Sequence, residues 1–453
     1  MSVARDLAEF IVGQSAAGLP GQAMDHAAML IASTIASAAM GSTLESAKII
    51  RDMAHDRGGN PMASVWFDRG AKLPVVDAAQ VNAVMSDAAA SDDSDLRNIV
   101  HCGTPLTATA LADAEYHGIG GSDVLAAIVL GYELAGRIID AVPQVRARGF
   151  HGSTVAIFAA TGAAGRLLRL DPDQMTHAIA LAATSTGGLA KAADTSTARE
   201  YHAGLATANG IEAVRAARRG YRAEERILEM PLGFFEAFGG EDGAAAGAVA
   251  LRDLGQSWDI VTDMAVKLVP GGHPYHALAE AAANAAREGN IDSERVESIT
   301  VSRPGMTALT GPPHPADLID MAHSPAYFLA AGVADRNFSW MHATPQKIAD
   351  PRIHRLIDKV QVGPPPSENA ARYRQGATVT IRTIDGREVT NTVHVPKGAG
   401  MLGIDWADID AKYRTLVPLS GLPGSRIEAS LALIHRFRDV TDAGELTRLL
   451  QIA

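Results

Sequence analysis

Acidic side chains and a histidine stand close together near position 100 of this 453-residue chain. Asp92, Asp93 and Asp95 precede His101 by fewer than ten residues. We expect this polar stretch to be a loop between two apolar helices, because loops present catalytic groups that helices bury. It is therefore a candidate for general acid and base chemistry. A solvated cluster of acids before a helix would account for the same composition.

The adjacent acids Asp92 and Asp93 also raise the question of a metal. Carboxylate oxygens hold Mg²⁺ against diphosphate in all-helical prenyl-transferring enzymes. Such a site needs a second group of ligands, and no Asn-Asp…Ser…Glu run follows downstream. An isolated pair of acids is a weak motif. We therefore predict no metal site.

A second histidine, His151, stands between Gly149 and Gly152 where an apolar helix begins. The positive end of a helix disfavours the cationic form of the ring, so we expect a neutral imidazole that accepts a proton. A purely structural histidine is the alternative. The flanking glycines and the Ser153-Thr154 pair favour a functional site.

Two further segments combine histidines with basic side chains. Arg199 and His202 are expected in a loop before a helix rich in glycine and alanine, where Arg199 can bind a carboxylate with two parallel hydrogen bonds. Lys267, His273 and His276 surround a Pro-Gly-Gly turn. One cation and two imidazoles at a turn into a helix predict an anion site. Helix capping by ordinary polar residues is the alternative.

Common cofactor motifs do not occur in the sequence. It has no GxGxxG after a strand, no GxxxxGK[ST] loop, no GxSxG elbow, no HExxH helix and no pair of CxxC motifs. Nicotinamide, nucleotide and zinc chemistry therefore lose support. Proton chemistry by histidines without a cofactor remains, with Arg and Lys side chains binding carboxylates.

The charge balance argues against nucleic-acid and membrane partners. The chain has 51 acidic and 40 basic side chains and a formal net charge of -11, which repels phosphate backbones and acidic lipids. A small anionic substrate is compatible where cationic groups converge. The single cysteine, Cys102, forms no internal disulfide, which favours a cytoplasmic location. The N-terminus lacks a signal-peptide pattern, and charges interrupt the apolar run at 124–140, so we predict no membrane segment.

Hydrophobic spacing predicts a mainly helical first domain. Alanine-rich segments with helical periodicity occupy residues 1–264. After the glycine and proline that follow His101, a helix is expected to begin near Thr107. Ser122 is expected to cap the next helix, and Asp171 and Gln174 to form a capping box.

A smaller α+β domain is predicted over residues 265–395. Asp385-Gly386 lies between two alternating runs and predicts a hairpin. The expected strands are 298–303, 359–362, 377–384 and 388–395, and the expected helices are 275–287 and 323–333. Helical patterning returns over residues 396–453, which we expect to pack on the first body and complete the large all-helical domain.

The four chemical segments, in this order and spacing, resemble the 2-methylcitrate dehydratase (MmgE/PrpD) family, whose members include cis-aconitate decarboxylase and iminodisuccinate epimerase. VNAVMSDAAASDDS at 81–94 resembles the family's VNG…AH-x-LDFDD-[ST] pattern, and His101-Cys102-Gly103 its His-Pro-[GS]. Residues 149–153 are similar to its Gly-[WF]-His-x-Thr stretch, 200–204 to its Lys-x-Leu-His-x-Gly stretch and 267–276 to its Lys-x-Tyr-Pro…His segment. Residues 322–335 and 349–360 are further landmarks.

This resemblance implies a large helical domain joined to a small α+β domain, usually as a homodimer. It implies an active site between the domains and small di- and tricarboxylate substrates, handled without a metal or organic cofactor. His101, His151 and Lys267 match the family's catalytic positions best.

Three positions depart from the family pattern. Ala90 stands where the family has the first aspartate of LDFDD. Arg199 stands in place of the lysine of the Lys-x-Leu-His stretch, and Asp87 stands where the family usually has a histidine. Arginine keeps the positive charge but does not lose its proton, so Arg199 can bind a carboxylate and cannot act as a base. Asp92 or Asp93 can replace the missing carboxylate.

We therefore expect a cofactor-independent lyase of the hydro-lyase type, which removes a proton next to a carboxylate of a small polycarboxylate or hydroxy acid. Catalysis is assigned to His101, His151, Lys267 and Asp93. Substrate binding is assigned to Arg199, His202, His273, His276, Asp92 and Ser94. Epimerisation or decarboxylation of a similar acid is also compatible, as is a catalytically inactive relative that binds a carboxylate.

Overall fold

Two units make up the chain, and a computed structural model describes residues 2–70, 72–240 and 242–452. Unit 1 contains Met1–Val266 and Gly403–Ala453, and unit 2 contains Lys267–Leu402. The sequence predicted these boundaries between residues 264 and 265 and between residues 395 and 396. The predicted fold class, mainly helical with a smaller α+β part, is confirmed.

Small residues allow the helices of unit 1 to pack closely. Its first helices are α1 Val3–Gly13, α2 Gly21–Gly41, α3 Glu45–Arg57, α4 Val75–Ala88, α5 Gly103–His117, α6 Gly121–Ala141, α7 Ser153–Leu167, α8 Pro172–Thr184, α9 Ala190–Thr195, α10 Ala198–Arg218, α11 Gly243–Ala250 and α12 Asp259–Thr262. A Cβ at Gly162 would lie 2.7 Å from the Cα of Gly131, so α6 and α7 approach to backbone contact. Helix α7 also packs on α5 and α10, and α10 packs on α4.

Two short antiparallel sheets in unit 1 were not predicted. β1 Ala63–Ser64 pairs with β2 Lys72–Leu73, and β3 Asp93–Asp95 pairs with β4 Met264–Val266. The β3 segment, Asp-Ser-Asp, has no alternation of apolar and polar residues and therefore gives no strand signal. Its pairing partner is also distant in the sequence.

Unit 2 is built on a four-stranded sheet. The strands are β5 Val296–Ser302, β6 Val360–Val362, β7 Ala377–Thr383 and β8 Glu388–Val393, in the order β6-β5-β7-β8. β5 and β6 are parallel, and the other pairs are antiparallel. The helices are α13 His276–Glu288, α14 Leu318–Ala322, α15 Pro325–Asp335, α16 Pro345–Ile348 and α17 Pro351–Ile357. Alternate residues of β7 are buried, and α13 packs on β7 and β8.

The predicted hairpin is confirmed. β7 and β8 form the hairpin, in which Gly386 has a φ of +82°. The chain then returns to unit 1 as α18 Trp406–Leu416, α19 Gly424–His435 and α20 Gly444–Leu449. Helices α18 and α19 pack on α2.

Helix α2 is, by length and composition alone, long and apolar enough to cross a bilayer. However, 89% of its most apolar 18-residue stretch is buried inside the protein, which is also the property of a core helix.

The helix ends show which local signals were sufficient. The capping box of Asp171 and Gln174 is present as predicted. The predicted cap at Ser122 is wrong, because the N-cap of α6 is Gly120, two residues earlier. A glycine at the N-cap also fits the helix start, since it is only slightly inferior to serine there.

Two predicted loop residues lie inside a helix, and one helix begins early. Helix α5 begins at Gly103 rather than near Thr107. Pro105 is tolerated in its first turn, where the backbone N–H has no partner within the helix. Arg199 and His202 belong to the first turns of α10 instead of a loop.

Candidate active site

The acidic stretch before His101 is buried, so the alternative of a solvated cluster is wrong. Asp92 is 1% exposed, and Asp93 and Asp95 are 0% exposed. Buried carboxylates require compensating partners, since an unpaired charge away from water is costly. The partners of these three residues therefore define what the segment does.

Arg97 compensates the last of these acids. Its guanidinium lies 2.6 Å from Asp95 and 2.9 Å from Asp259, with Asp263 at 3.7 Å. Burial disfavours the charge of Arg97, but the carboxylates of Asp95 and Asp259 outweigh it and raise the pKa of Arg97. This network ties the acidic segment to the chain around α12 and fixes β3.

Nδ1 of His101 faces three oxygens. It lies 2.6 Å from the carbonyl oxygen of Asp93, 3.1 Å from Oδ2 of Asp92 and 3.4 Å from Oγ of Ser94. Donation from Nδ1 to the Asp93 carbonyl fixes the ring, and the Asp92 carboxylate stabilises its protonated form. A proton exchanged with a substrate would then be carried at Nε2.

Asp93 was expected to be catalytic, but its carboxylate is engaged inside the protein. Oδ1 accepts a hydrogen bond from the backbone N–H of Gly103 at 2.9 Å, and the Tyr132 hydroxyl donates to Oδ2 at 3.3 Å. With no exposed surface, Asp93 holds the start of α5 and positions the segment. Asp92 and Ser94, expected to bind substrate, are also buried and contact His101.

His151 lies just before α7, in a segment that packs against the residue preceding His101. A Cβ at Gly152 would lie 3.3 Å from the Cα of Val100. The backbone N–H of His151 donates to the carbonyl of Gly188 at 3.0 Å. The two histidine-bearing segments are therefore neighbours in unit 1.

The imidazole of His151 is neutral near neutral pH. Its pKa is well below the ordinary value of 6.5, first because of burial and then because of the charges of His101 and His202. The neutral ring predicted from the sequence is confirmed in direction, but burial rather than the helix terminus is the main cause. Nδ1 lies 3.0 Å from Oγ of Ser153. When Nδ1–H donates to this oxygen, Nε2 keeps its lone pair.

His202 extends the cluster from α10. Its ring centroid lies 5.5 Å from that of His151, and burial lowers its pKa against an opposing effect of Asp87. Gly188, with a φ of +133°, lies so close that a Cβ there would be 3.1 Å from the His202 ring. A pocket of ≈ 380 Å³ borders this point, lined by residues that include Gly188, Tyr201, His202 and Asn209.

Arg199 was expected to bind a substrate carboxylate, and in the structure it binds Asp87. Nε lies 3.0 Å from Oδ2 of Asp87, and Nη2 donates to the carbonyls of Asp87 and Ala88 at 2.7 and 3.0 Å. The guanidinium therefore also caps the C-terminal end of α4. Two of the three departures from the family pattern are thus in contact with each other.

Lys267, His273 and His276 belong to unit 2 and are all buried. Lys267 directly follows the last residue of β4. The rings of His273 and His276 are stacked with centroids 4.5 Å apart, and Nε2 of His276 lies 3.3 Å from the carbonyl of Gly271. The structure thus brings the two histidines of this segment together at the start of α13.

One group in this cluster has the donor types of a metal site. Ligand atoms of Asp87, Asp92 and His101 lie within 4.8 Å of one another. Arg199 is bound to Asp87 there, and its positive charge opposes a cation at the same carboxylate. The expectation of no metal stays a prediction.

Two residues that shape the site, Tyr132 and Glu200, were not predicted to belong to it. Tyr132 on α6 donates to Asp93, and Glu200 accepts a hydrogen bond from Ser46 at 2.7 Å beside Arg199. Ser153 on α7, which orients His151, already favoured a functional site in the sequence. Tyr132 gave no signal, because it lies within an apolar helix 39 residues from its partner.

Comparisons with known proteins match both parts of the chain to domains of one family. Residues 5–246 match the MmgE/PrpD N-terminal domain, and residues 270–430 match the MmgE/PrpD C-terminal domain. The cis-aconitate decarboxylase of Homo sapiens is 24% identical over 462 residues, which cover 99% of this chain and 95% of that protein. The cis-aconitate decarboxylase of Mus musculus is 26% identical, with 86% and 82% covered, and that of Aspergillus terreus is 26% identical, with 95% and 92% covered. This chain therefore belongs to the MmgE/PrpD family of enzymes.

Proposed function

We propose that the chain is a lyase that acts on a small polycarboxylate by moving a proton at the carbon next to a carboxylate. The observation that carries this proposal is the pair of imidazoles on adjoining segments of unit 1. Burial keeps His151 neutral, while His101 has a carboxylate 3.1 Å from its Nδ1. Environments that separate two titratable groups in this way define a base and an acid.

In this proposal His151 is the base. Its Nδ1–H is held by Ser153, so Nε2 accepts the proton from carbon. His101 is the acid: the Asp92 carboxylate lies 3.1 Å from its Nδ1, and the Asp93 carbonyl orients the ring. Loss of water follows when Nε2 of His101 protonates the departing hydroxyl as the carbon–oxygen bond breaks.

Decarboxylation is the second candidate, because the relatives carry that name. Breaking the carbon–carbon bond to a carboxylate releases CO₂ and leaves an electron pair on carbon. That pair requires a proton donor, which His101 supplies, and it requires no base. The two reactions therefore place different demands on His151.

The cations near these histidines are already balanced within unit 1. Arg199 is paired with Asp87, and His101 faces Asp92. A substrate with two or three carboxylates needs further positive charge. We therefore assign carboxylate binding to other cations of the chain and treat Arg199 as a residue that holds α4 and α10 together.

Citrate, 2-methylcitrate, malate and cis-aconitate, incubated with the chain in deuterated water, test the proposal. Water loss appears as ultraviolet absorbance of the unsaturated acid, decarboxylation as released CO₂, and epimerisation as deuterium in recovered substrate. We expect H101Q and H151Q to lower turnover about 10²- to 10⁴-fold. The control H435Q changes a histidine that also contacts an aspartate, at 2.8 Å, but on the exposed surface.

The variants also separate the candidate reactions. A decarboxylase would lose activity in H101Q and keep most of it in H151Q, whereas a hydro-lyase would lose activity in both. Turnover that survives both substitutions contradicts the assignment of the two histidines. Binding of these acids without any product would favour the inactive, carboxylate-binding alternative.

A further inference from the structure

Arg303 occupies a central position in unit 2. It directly follows β5, which lies inside the four-stranded sheet. Nη1 donates to the carbonyl of Pro274 at 2.7 Å, and Nη2 donates to Oε1 of Gln375. Arg303 therefore connects the end of β5 with the turn before α13 and with the segment before β7.

The positive charge of Arg303 has no carboxylate partner among residues 2–70, 72–240 and 242–452. Both groups that accept hydrogen bonds from it, the Pro274 carbonyl and the Gln375 amide oxygen, are neutral. Burial lowers the pKa of Arg303 to about 10, against a smaller effect of Tyr275. Other arginines of the same unit do have such partners, for example Arg382 with Glu297 at 3.0 Å.

An arginine in this state is suited to an anion. A guanidinium has five N–H donors in a planar fork, and the two recorded hydrogen bonds use two of them, leaving three. A partly buried charge without a counter-ion is costly to the folded chain, and a bound carboxylate removes that cost.

The surroundings of Arg303 also favour negative charge. Pro274, which it contacts, lies in the short 3-10 helix His273–Tyr275. The 13-residue helix α13 begins at the next residue, His276, and its N-terminus carries partial positive charge. This is the segment for which the sequence predicted an anion site, and Arg303 adds a guanidinium to it from a distant part of the sequence.

We propose that Arg303 binds a carboxylate group of a small polycarboxylate, at the turn formed by residues 270–276 of unit 2. The choice of a carboxylate over another anion rests on the proposed function. Inorganic phosphate would fit the same fork, so the test includes it as a separate ligand.

Equilibrium binding of tricarballylate to the full chain, measured by calorimetry, tests the proposal. This saturated tricarboxylate has neither a hydroxyl nor a double bond, so it binds without reacting. We expect R303M to weaken binding about 10- to 100-fold, the range for losing hydrogen bonds between charged groups. R303K keeps the charge but loses the paired N–H donors of the guanidinium, so its Kd should lie between that of the unsubstituted chain and that of R303M. R382Q is the matched control, because Arg382 is 51% exposed and ion-paired.

Thermal unfolding separates binding from a structural role. Without ligand, R303M should unfold at the same or a higher temperature than the unsubstituted chain, since it removes a buried, unpaired charge. A clear decrease together with unchanged tricarballylate binding would show that Arg303 is only structural and would overturn the proposal. If R303M does not fold, R303K still tests the proposal. Because a lysine lacks the paired donors of arginine, we expect R303K to raise the Kd for tricarballylate at least about threefold.

Three results would overturn the proposal. They are unchanged tricarballylate binding in the Arg303 variants, no tricarballylate binding by the unsubstituted chain, and a preference for phosphate that depends on Arg303. The proposed lyase fails separately: a chain that binds tricarballylate through Arg303 and converts none of the four acids contradicts the lyase and supports the role of Arg303.

Discussion

Substitution of Arg199 by glutamine should destabilise the chain rather than weaken substrate binding. The change removes the charge that faces Asp87, whose side chain is 2% exposed, and disrupts three hydrogen bonds. Removing one partner of a buried ion pair costs about 3–5 kcal/mol, because the other charge stays buried. The Arg199 side chain is itself 14% exposed. Water therefore reaches the pair, and we expect about 3 kcal/mol, the lower end of this range.

A double-substitution cycle isolates the contribution of the pair. D87N leaves Arg199 with two carbonyl acceptors, and should cost about 1–2 kcal/mol. The double variant D87N/R199Q removes the Asp87 charge that R199Q leaves without its partner, so it should be more stable than R199Q alone. The coupling energy should therefore be about 1–3 kcal/mol, as for residues in direct contact. R199K retains the charge and should fall between the unsubstituted chain and R199Q.

Urea unfolding followed by far-ultraviolet circular dichroism gives these free energies, and calorimetry with tricarballylate gives binding for the same proteins. Additive effects in the cycle, or R199Q within about 0.5 kcal/mol of the unsubstituted chain, would refute the structural role of the pair. A normal unfolding midpoint combined with a strong loss of tricarballylate binding would restore Arg199 to the substrate-binding role that the sequence suggested.

Three further substitutions test the buried groups of unit 1. Burial raises the pKa of Asp113 from 3.8 to about 7, so the folded chain retains a proton that the unfolded chain loses. Stability should therefore decrease by about 3 kcal/mol from pH 4 to pH 7, and urea unfolding of D113N should lack this decrease. Because burial lowers the pKa of His151, the free energy of unfolding should fall as the pH drops below 6.5, and it should fall less steeply in H151Q. Equal pH dependence of stability in the two proteins would contradict the buried, neutral ring. G188A places a Cβ 3.1 Å from the His202 ring at a φ of +133°, so we expect at least a tenfold loss of turnover and about 1–3 kcal/mol lower stability. Full activity of G188A would show that the close approach of residue 188 to His202 is unnecessary.

Local periodicity was sufficient for most of the fold. The capping box at Asp171, the hairpin at Gly386 and the helix Trp406–Leu416 all follow from signals within a few residues. The errors also have local causes. The proline in the first turn of α5 predicts a break before the helix, although that position tolerates proline. The polar start of α10 predicts a loop, but it is helical.

The candidate site was predictable as a set of segments but not as a set of contacts. His101 and His151 stood out because polar residues and glycines interrupt apolar patterns there. Which carboxylate faces which cation depends on packing between segments far apart in the chain. Arg199 lies 112 residues from Asp87, and Arg303 lies 72 residues from Gln375. No periodicity within one element contains that information.

The departures from the family pattern are better understood as linked changes than as separate losses. Taken singly, Ala90 lacks a carboxylate, Arg199 cannot be a base and Asp87 is not a histidine. In the structure the arginine and the aspartate neutralise each other, so neither adds net charge beside His202. Ala90 takes a φ of +51° at the end of α4 and turns the chain into the segment where Asp92 meets His101. The carboxylate absent at position 90 therefore has a counterpart two residues later, so His101 keeps an acidic neighbour in the proposed mechanism. The ion pair of Asp87 with Arg199 neutralises a cation of unit 1, and the proposed function therefore requires that other cations of the chain bind the carboxylates of the substrate.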